Sequence, residues 1–194
     1  GATGPGVFPI TYTYTVSNTC SASAQKNINV KASPLVYQNT FAADCVNSSL
    51  VTLHGGSPVG GVYSGPGVNS GRFDPNIGIG DFTIVYTVFD ANGCAGSASQ
   101  IMSVKPLPAV SLNFFAPICA NASLLSLNGG TPSGGIYSGT GVSSGSFDPS
   151  VGTGTYLINY SYTDAFGCIS MTSNPIQVNP APIVQLNSFS PVCS

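Results

Sequence analysis

The chain has 194 residues, 42% of them hydrophobic and 5% charged, with a net charge of −2. Its four basic residues, Lys26, Lys31, Arg72 and Lys105, form no cluster, which excludes nucleic acid and anionic membrane as partners, because phosphate binding needs several Lys or Arg on one face. No apolar run approaches the length of about 20 needed to cross a bilayer as a helix, so no membrane insertion is expected within these residues.

Against roughly 25% charged residues in an ordinary domain, so low a charge leaves Ser, Thr, Asn and Gly to make the surface. The acidic residues are all Asp: Asp44, Asp74, Asp81, Asp90, Asp148 and Asp164. Such a surface carries little repulsion between neighbouring copies.

Six cysteines act as a ruler. Cys20 and Cys94, Cys45 and Cys119, Cys94 and Cys168, and Cys119 and Cys193 are each 74 residues apart. The stretch GGSPVGGVYSGPGVNSGRFDP from Gly55 returns from Gly129 as GGTPSGGIYSGTGVSSGSFDP, as a duplicated structural unit does. Residues 1–33 read as the C-terminal part of a preceding repeat, 34–107 and 108–182 as two full repeats, and 183–194 as the start of the next.

In chain order, segments alternate apolar and polar residues with period two, are rich in Tyr, Thr, Val and Ile, and are separated by Gly, Pro, Asn and Ser, which is the pattern of strands. The first full repeat predicts strands near 35–41, 49–54, 61–64, 71–74, 81–89 and 95–104. The second predicts them near 109–115, 123–128, 135–138, 145–148, 155–163 and 169–178. The strongest hairpin joins 81–89 to 95–104 through Asp90-Ala91-Asn92-Gly93, where Asn-Gly supplies the positive φ angles of a tight turn. No helix is predicted. Six or seven short strands in about 74 residues favour an all-β fold of tandem immunoglobulin-like β-sandwich repeats over a closed barrel. The Pro-x-Pro joints at Pro106-Leu107-Pro108 and Pro180-Ala181-Pro182 are short and stiff, and predict an extended rod.

The motif GGxPxGGxYSGxGVxxGxFDP, followed by an Asp-Ala-x-Gly-Cys turn and a Pro-x-Pro joint, resembles the Ig-like or PKD-like tandem repeats of large type IX-secreted surface proteins of Bacteroidota, including gliding-type adhesins. The resemblance covers the whole chain and implies an extracellular, cell-surface stalk. The N-terminal copy departs from the pattern, with Val16 where Asp90 and Asp164 stand and Thr19 where Gly93 and Gly167 stand.

No residue pattern here supports catalysis. His54 is the only histidine and has no obvious nucleophile or acid to work with. The cysteines lack Cys-x-x-Cys spacing, so disulfides rather than zinc are expected. No metal or cofactor is expected: calcium wants six to eight oxygens, and the aspartates sit singly in turns, where their carboxylates accept from the turn's own amides. The glycine-rich loop lacks the Lys and helix of a phosphate loop. Asn47 and Asn121 head N-x-Ser sequons.

Two disulfide patterns are open. Intra-repeat pairing joins Cys45 to Cys94 and Cys119 to Cys168. Inter-repeat pairing, which we prefer, joins Cys45 to Cys168, because strands of about 3.3 Å per residue hold Cys45 and Cys94 at opposite ends of one unit, beyond the roughly 7 Å Cα separation of a disulfide. The expected role is a structural and adhesive stalk or filament whose partners are neighbouring copies of the array, other filament chains, and a surface or polysaccharide ligand. The alternative is a carbohydrate-binding module in which Tyr63 and Tyr137 stack on sugars.

Overall fold

The computed structural model describes residues 4–17 and 20–192. The expected departure at Thr19 and the last cysteine of the ruler, Cys193, lie outside them. The chain divides into two compact units, Gly1–Lys105 and Pro106–Ser194.

The first unit opens with a hairpin of β1 (Gly6–Thr15) and β2 (Ser21–Val30). The strands that follow are β3 (Tyr37–Gln38), β4 (Asp44–Cys45), β5 (Val51–Thr52), β6 (Gly56–Ser57), β7 (Val62–Ser64), β8 (Val68–Asn69), β9 (Arg72–Phe73), β10 (Gly80–Phe89) and β11 (Ala95–Lys105). One sheet has the order β4-β11-β10-β7, another β5-β9-β8, and β3 pairs with β6. Placing the last two strands between the first and a middle one, over a second sheet of early and middle strands, is the arrangement of an immunoglobulin-like sandwich.

The second unit repeats it. Its strands are β12 (Ser111–Leu112), β13 (Ile118–Cys119), β14 (Leu125–Ser126), β15 (Gly130–Thr131), β16 (Ile136–Ser138), β17 (Val142–Ser143), β18 (Ser146–Phe147), β19 (Gly154–Thr163) and β20 (Ile169–Asn179). They form sheets β13-β20-β19-β16, β14-β18-β17 and β12-β15.

Period two explains the cores. Along β10 the inward positions Ile84, Tyr86 and Val88 are buried while Asp81, Thr83 and Phe89 are exposed. With Leu53, Phe73, Met102 and Val104 they fill the first sandwich. Leu112, Leu127, Phe147, Ile158, Tyr160, Ile176 and Val178 fill the second. No charged side chain among the described residues is buried.

The long hairpins fall where the alternation predicts them. The short strands β6, β8, β15 and β17 fall between the expected segments, and two further features were not expected. The strand at Asp44–Cys45 pairs parallel with the end of β11, Asp44 opposite Val104 and Cys45 opposite Lys105, where the sequence read as a turn. A 3₁₀ turn at Pro75–Ile77 follows Asp74, whose carboxylate accepts from the Asn76 amide at 3.0 Å, and Pro149–Val151 repeats it behind Asp148. Asp-Pro makes such a turn locally: the aspartate caps the free amides and proline presets φ at the first position.

Candidate functional site

Each sandwich carries a glycine loop clamped by one buried tyrosine. The Tyr86 hydroxyl donates to the Pro58 carbonyl at 2.7 Å and accepts from the Gly61 amide at 2.8 Å. Tyr160 makes the same pair with Pro132 and Gly135. The repeated Gly-Gly-x-Pro-x-Gly-Gly follows from this geometry. Gly55 and Gly60 hold φ of 90° and 94°, where a side chain is strained. A Cβ on Gly56 or Gly61 would lie 2.5 Å from the Tyr86 ring. The spacing of one tyrosine 25 residues after the second glycine pair was the signal available in the sequence, and sequence reasoning did not use it.

Tyr63 and Tyr137, read from the sequence as candidate sugar-stacking residues, belong to the same assembly. Each is half-buried, with its hydroxyl accepting from the amide of Gly56 at 2.9 Å or Gly130 at 2.8 Å. Their rings tilt against Tyr86 and Tyr160, with centroids 4.7 Å apart. Each ring thus has one ring neighbour and an engaged hydroxyl. On β7 it is Val62, not Tyr63, that points outward.

The hairpin turns carry the other recurrent constellation. Asp90 accepts from the amides of Asn92 at 2.8 Å and Cys94 at 2.9 Å, and Asp164 accepts from Phe166 and Cys168, both at 2.9 Å. The Cys94 amide, followed by the bonds from Asn92 and Gly93, holds the Asp90 carboxyl below its usual 3.8 against a smaller desolvation effect. The Ser150 hydroxyl and amide lower Asp148 in the same way. These carboxylates are spent on their own turns.

Cys45 and Cys168 are disulfide-bonded, while Cys20, Cys94 and Cys119 carry free thiols. The intra-repeat pairs Cys45–Cys94 and Cys119–Cys168 are therefore not formed. The reason is register. Cys45 lies opposite Lys105, the last residue of β11, and Cys94 immediately precedes Ala95, its first. The eleven residues of that strand span roughly 33 Å at about 3.3 Å each.

His54 is exposed and lines a cavity of about 330 Å³ beside Phe41, Asp44 and Met102. A wider, open concavity of about 640 Å³ lies over Leu50, Asn69, Arg72 and Asp74. Among the described residues no three His, Cys, Asp or Glu side chains converge. No helix among them is long and apolar enough to cross a membrane.

The two stacked sheets define the class as an all-β immunoglobulin-like sandwich. No family model matches the chain, and no curated protein matches it. Among solved structures it is similar to a Ca²⁺-stabilized adhesin that helps an Antarctic bacterium reach out and bind ice. The identity is 14% over 90% of this chain and 57% of that one, with a TM-score of 0.42. It is also similar to Sidekick-1 immunoglobulin domains 1–4, at 13% identity over 84% of this chain and 55% of that one, with a TM-score of 0.30. The chain thus spans little more than half the length of either.

Proposed function

We propose that the chain is a structural and adhesive segment of an extracellular protein. Its immunoglobulin-like repeats 34–107 and 108–182 follow one another in a stalk or filament on a bacterial cell surface, and a bond between Cys45 and Cys168 staples one repeat to the next. The observation that carries this reading is the oxidation pattern: Cys45 and Cys168 are disulfide-bonded while Cys94 and Cys119, their alternative partners, are thiols. A disulfide is the chemistry of oxidising, extracytoplasmic compartments. On the 74-residue ruler, Cys45 is the first cysteine of one repeat and Cys168 the hairpin cysteine of the following one. A staple across a Pro-x-Pro joint restricts bending, which is what a stalk requires. The charge-poor surface adds little repulsion against neighbouring copies or other filament chains, and the resemblance to the Bacteroidota surface repeats points the same way.

The test is peptide mapping without reduction of the Cys193→Ser chain, cleaved on the N-terminal side of aspartate. That cleavage puts Cys45 in residues 44–73, Cys94 and Cys119 in 90–147, and Cys168 in 164–194. A species joining 44–73 to 164–194, released by dithiothreitol, is expected. A species joining 44–73 to 90–147 overturns the staple.

A further inference from the structure

The outer face of the sheet β5-β9-β8 carries a charge that the fold does not use. Val51, Phe73 and Val68 form one row across that sheet, with Phe73 buried in the core. Alternation turns the adjacent row, Thr52, Arg72 and Asn69, to the outside, and all three are exposed. Only Ser70 and Gly71 join β8 to β9, at φ of 49° and 73°, the two positive angles of a type I′ turn. Asn69 and Arg72 therefore face each other directly across the strands. On the other side of Phe73, Leu50, Gly67 and Asp74 complete the lining of the open concavity of about 640 Å³, with the Asp74 amide donating to the Gly67 carbonyl at 2.9 Å.

Arg72 is the one arginine of the chain, and its guanidinium has neither an ion pair nor a hydrogen bond among the described residues. The Asn69 side-chain oxygen accepts from the Ser70 hydroxyl at 2.9 Å, which leaves the amide hydrogens of Asn69 as donors. Oδ1 of Asp74 accepts from the amide and the side chain of Asn76, at 3.0 and 2.9 Å, which leaves Oδ2 as an acceptor. A planar cation, an amide donor and a carboxylate acceptor thus border one concavity, with the 53% exposed Leu50 as its apolar flank.

The second repeat keeps the frame and lacks this chemistry. Ser144 and Gly145 make the same turn, at φ of 47° and 74°, and Leu124, Gly141 and Asp148 stand where Leu50, Gly67 and Asp74 stand. The outward row, however, is Ser126, Ser146 and Ser143. The sandwich therefore folds without an arginine or an asparagine at these places.

We propose that the concavity binds a uronic acid unit of an acidic polysaccharide, with Arg72 holding the sugar's carboxylate and Asn69 and Asp74 its hydroxyls. The fork of a guanidinium matches a carboxylate with two parallel bonds. A phosphate-bearing ligand calls for several basic side chains, whereas one cation beside one carboxylate suits a single negative charge surrounded by hydroxyls. A hydroxyl both donates and accepts, so it satisfies Asp74 and Asn69 alike. An added peptide strand needs a sheet edge, and these side chains stand on a face. The volume lies within the roughly 300–1,000 Å³ of small-ligand sites. The site belongs wholly to the first unit and uses no cysteine, so it stands or falls apart from the staple.

The experiment titrates trimers of galacturonate and of mannuronate, which differ in hydroxyl geometry, into the 194-residue chain and follows the backbone amides and the Arg72 Nε–H by NMR. The methyl ester of the better trimer, with its carboxylates neutralised, is the control. The expected result is saturable shifts at Gly67, Asn69 and Arg72 and none at Gly141, Ser143 and Ser146. Binding is expected to weaken at least about tenfold for the ester, and equally for the acid added to Arg72→Gln. Grafting the row onto the second repeat, as Ser143→Asn with Ser146→Arg, is expected to raise the stoichiometry from one to two. Absence of saturable shifts with both trimers up to about 10 mM overturns the proposal, as does unaltered affinity of the ester or of Arg72→Gln, or a single site in the grafted chain. If a triglutamate peptide binds as tightly as the saccharide, the concavity serves protein carboxylates, and that outcome also overturns it.

Discussion

Replacing Tyr86 with phenylalanine isolates the clamp. The ring that packs against Tyr63 stays, and only the oxygen that donates to Pro58 and accepts from Gly61 is lost. A neutral hydrogen bond contributes about 0.5–1.5 kcal/mol net, and the two groups left behind are partly buried, so the substitution is expected to destabilise the first sandwich by roughly 1–3 kcal/mol. For a domain of this size that lowers its melting temperature by roughly 4–8 °C per kcal/mol. Amide exchange gives the sharper readout, because the Gly135 amide, held by Tyr160, is an internal control in the same sample. The Gly61 amide is expected to exchange about tenfold to a hundredfold faster, tenfold for each 1.4 kcal/mol, while Gly135 does not change. If Gly61 stays within about twofold of the parent chain, the hydroxyl does not hold the loop and the reasoning from geometry fails.

Overpacking the same contact should be worse. Gly61→Ala places a Cβ 2.5 Å from the Tyr86 ring and 2.6 Å from the Thr87 carbonyl, and an equilibrium urea melt is expected to show a loss of about 1–3 kcal/mol or more. Removing the phenylalanine that closes the core, in Phe73→Ala, is expected to cost about 3–5 kcal/mol in the same assay. Asp90 should titrate below 3.8, since its bonds from Cys94 and Asn92 lower it. Its contribution to stability is therefore present above 3.8 and lost as the pH falls through the depressed folded value. Carbon NMR of the carboxyl should find that midpoint, and an Asp90 midpoint at or above 3.8 refutes the capped turn. Finally, Cys168→Ala is expected to lower stability by roughly 2–4 kcal/mol as a lost disulfide does, whereas Cys94→Ser leaves the melting temperature unchanged; equal effects would contradict the oxidation pattern.

Local pattern and non-local contact divide what the sequence revealed from what it concealed. The strands 81–89 and 95–104 were legible because every inward position along β10 from Phe82 to Val88 is apolar or aromatic, and a single register fits that pattern. The two-residue strand at Asp44–Cys45 was not, since it exists only by pairing with the far end of β11. The place of Tyr63 was not legible for a related reason: it turns inward while Val62 is 65% exposed, because its ring meets Tyr86 and its hydroxyl accepts from Gly56, neither of them adjacent in the chain. The disulfide alternatives could be ranked from strand length alone, since rise per residue needs no coordinates.

The clamp also explains how so small a core can serve. Seven buried residues fill each sandwich, and below roughly 80 residues such a core rarely supplies more than about 3–5 kcal/mol. A polar staple worth 1–3 kcal/mol is then a large share of the whole. That arithmetic favours the arrangement found here, in which tyrosine ties a glycine loop to the central strand and aspartates cap each turn.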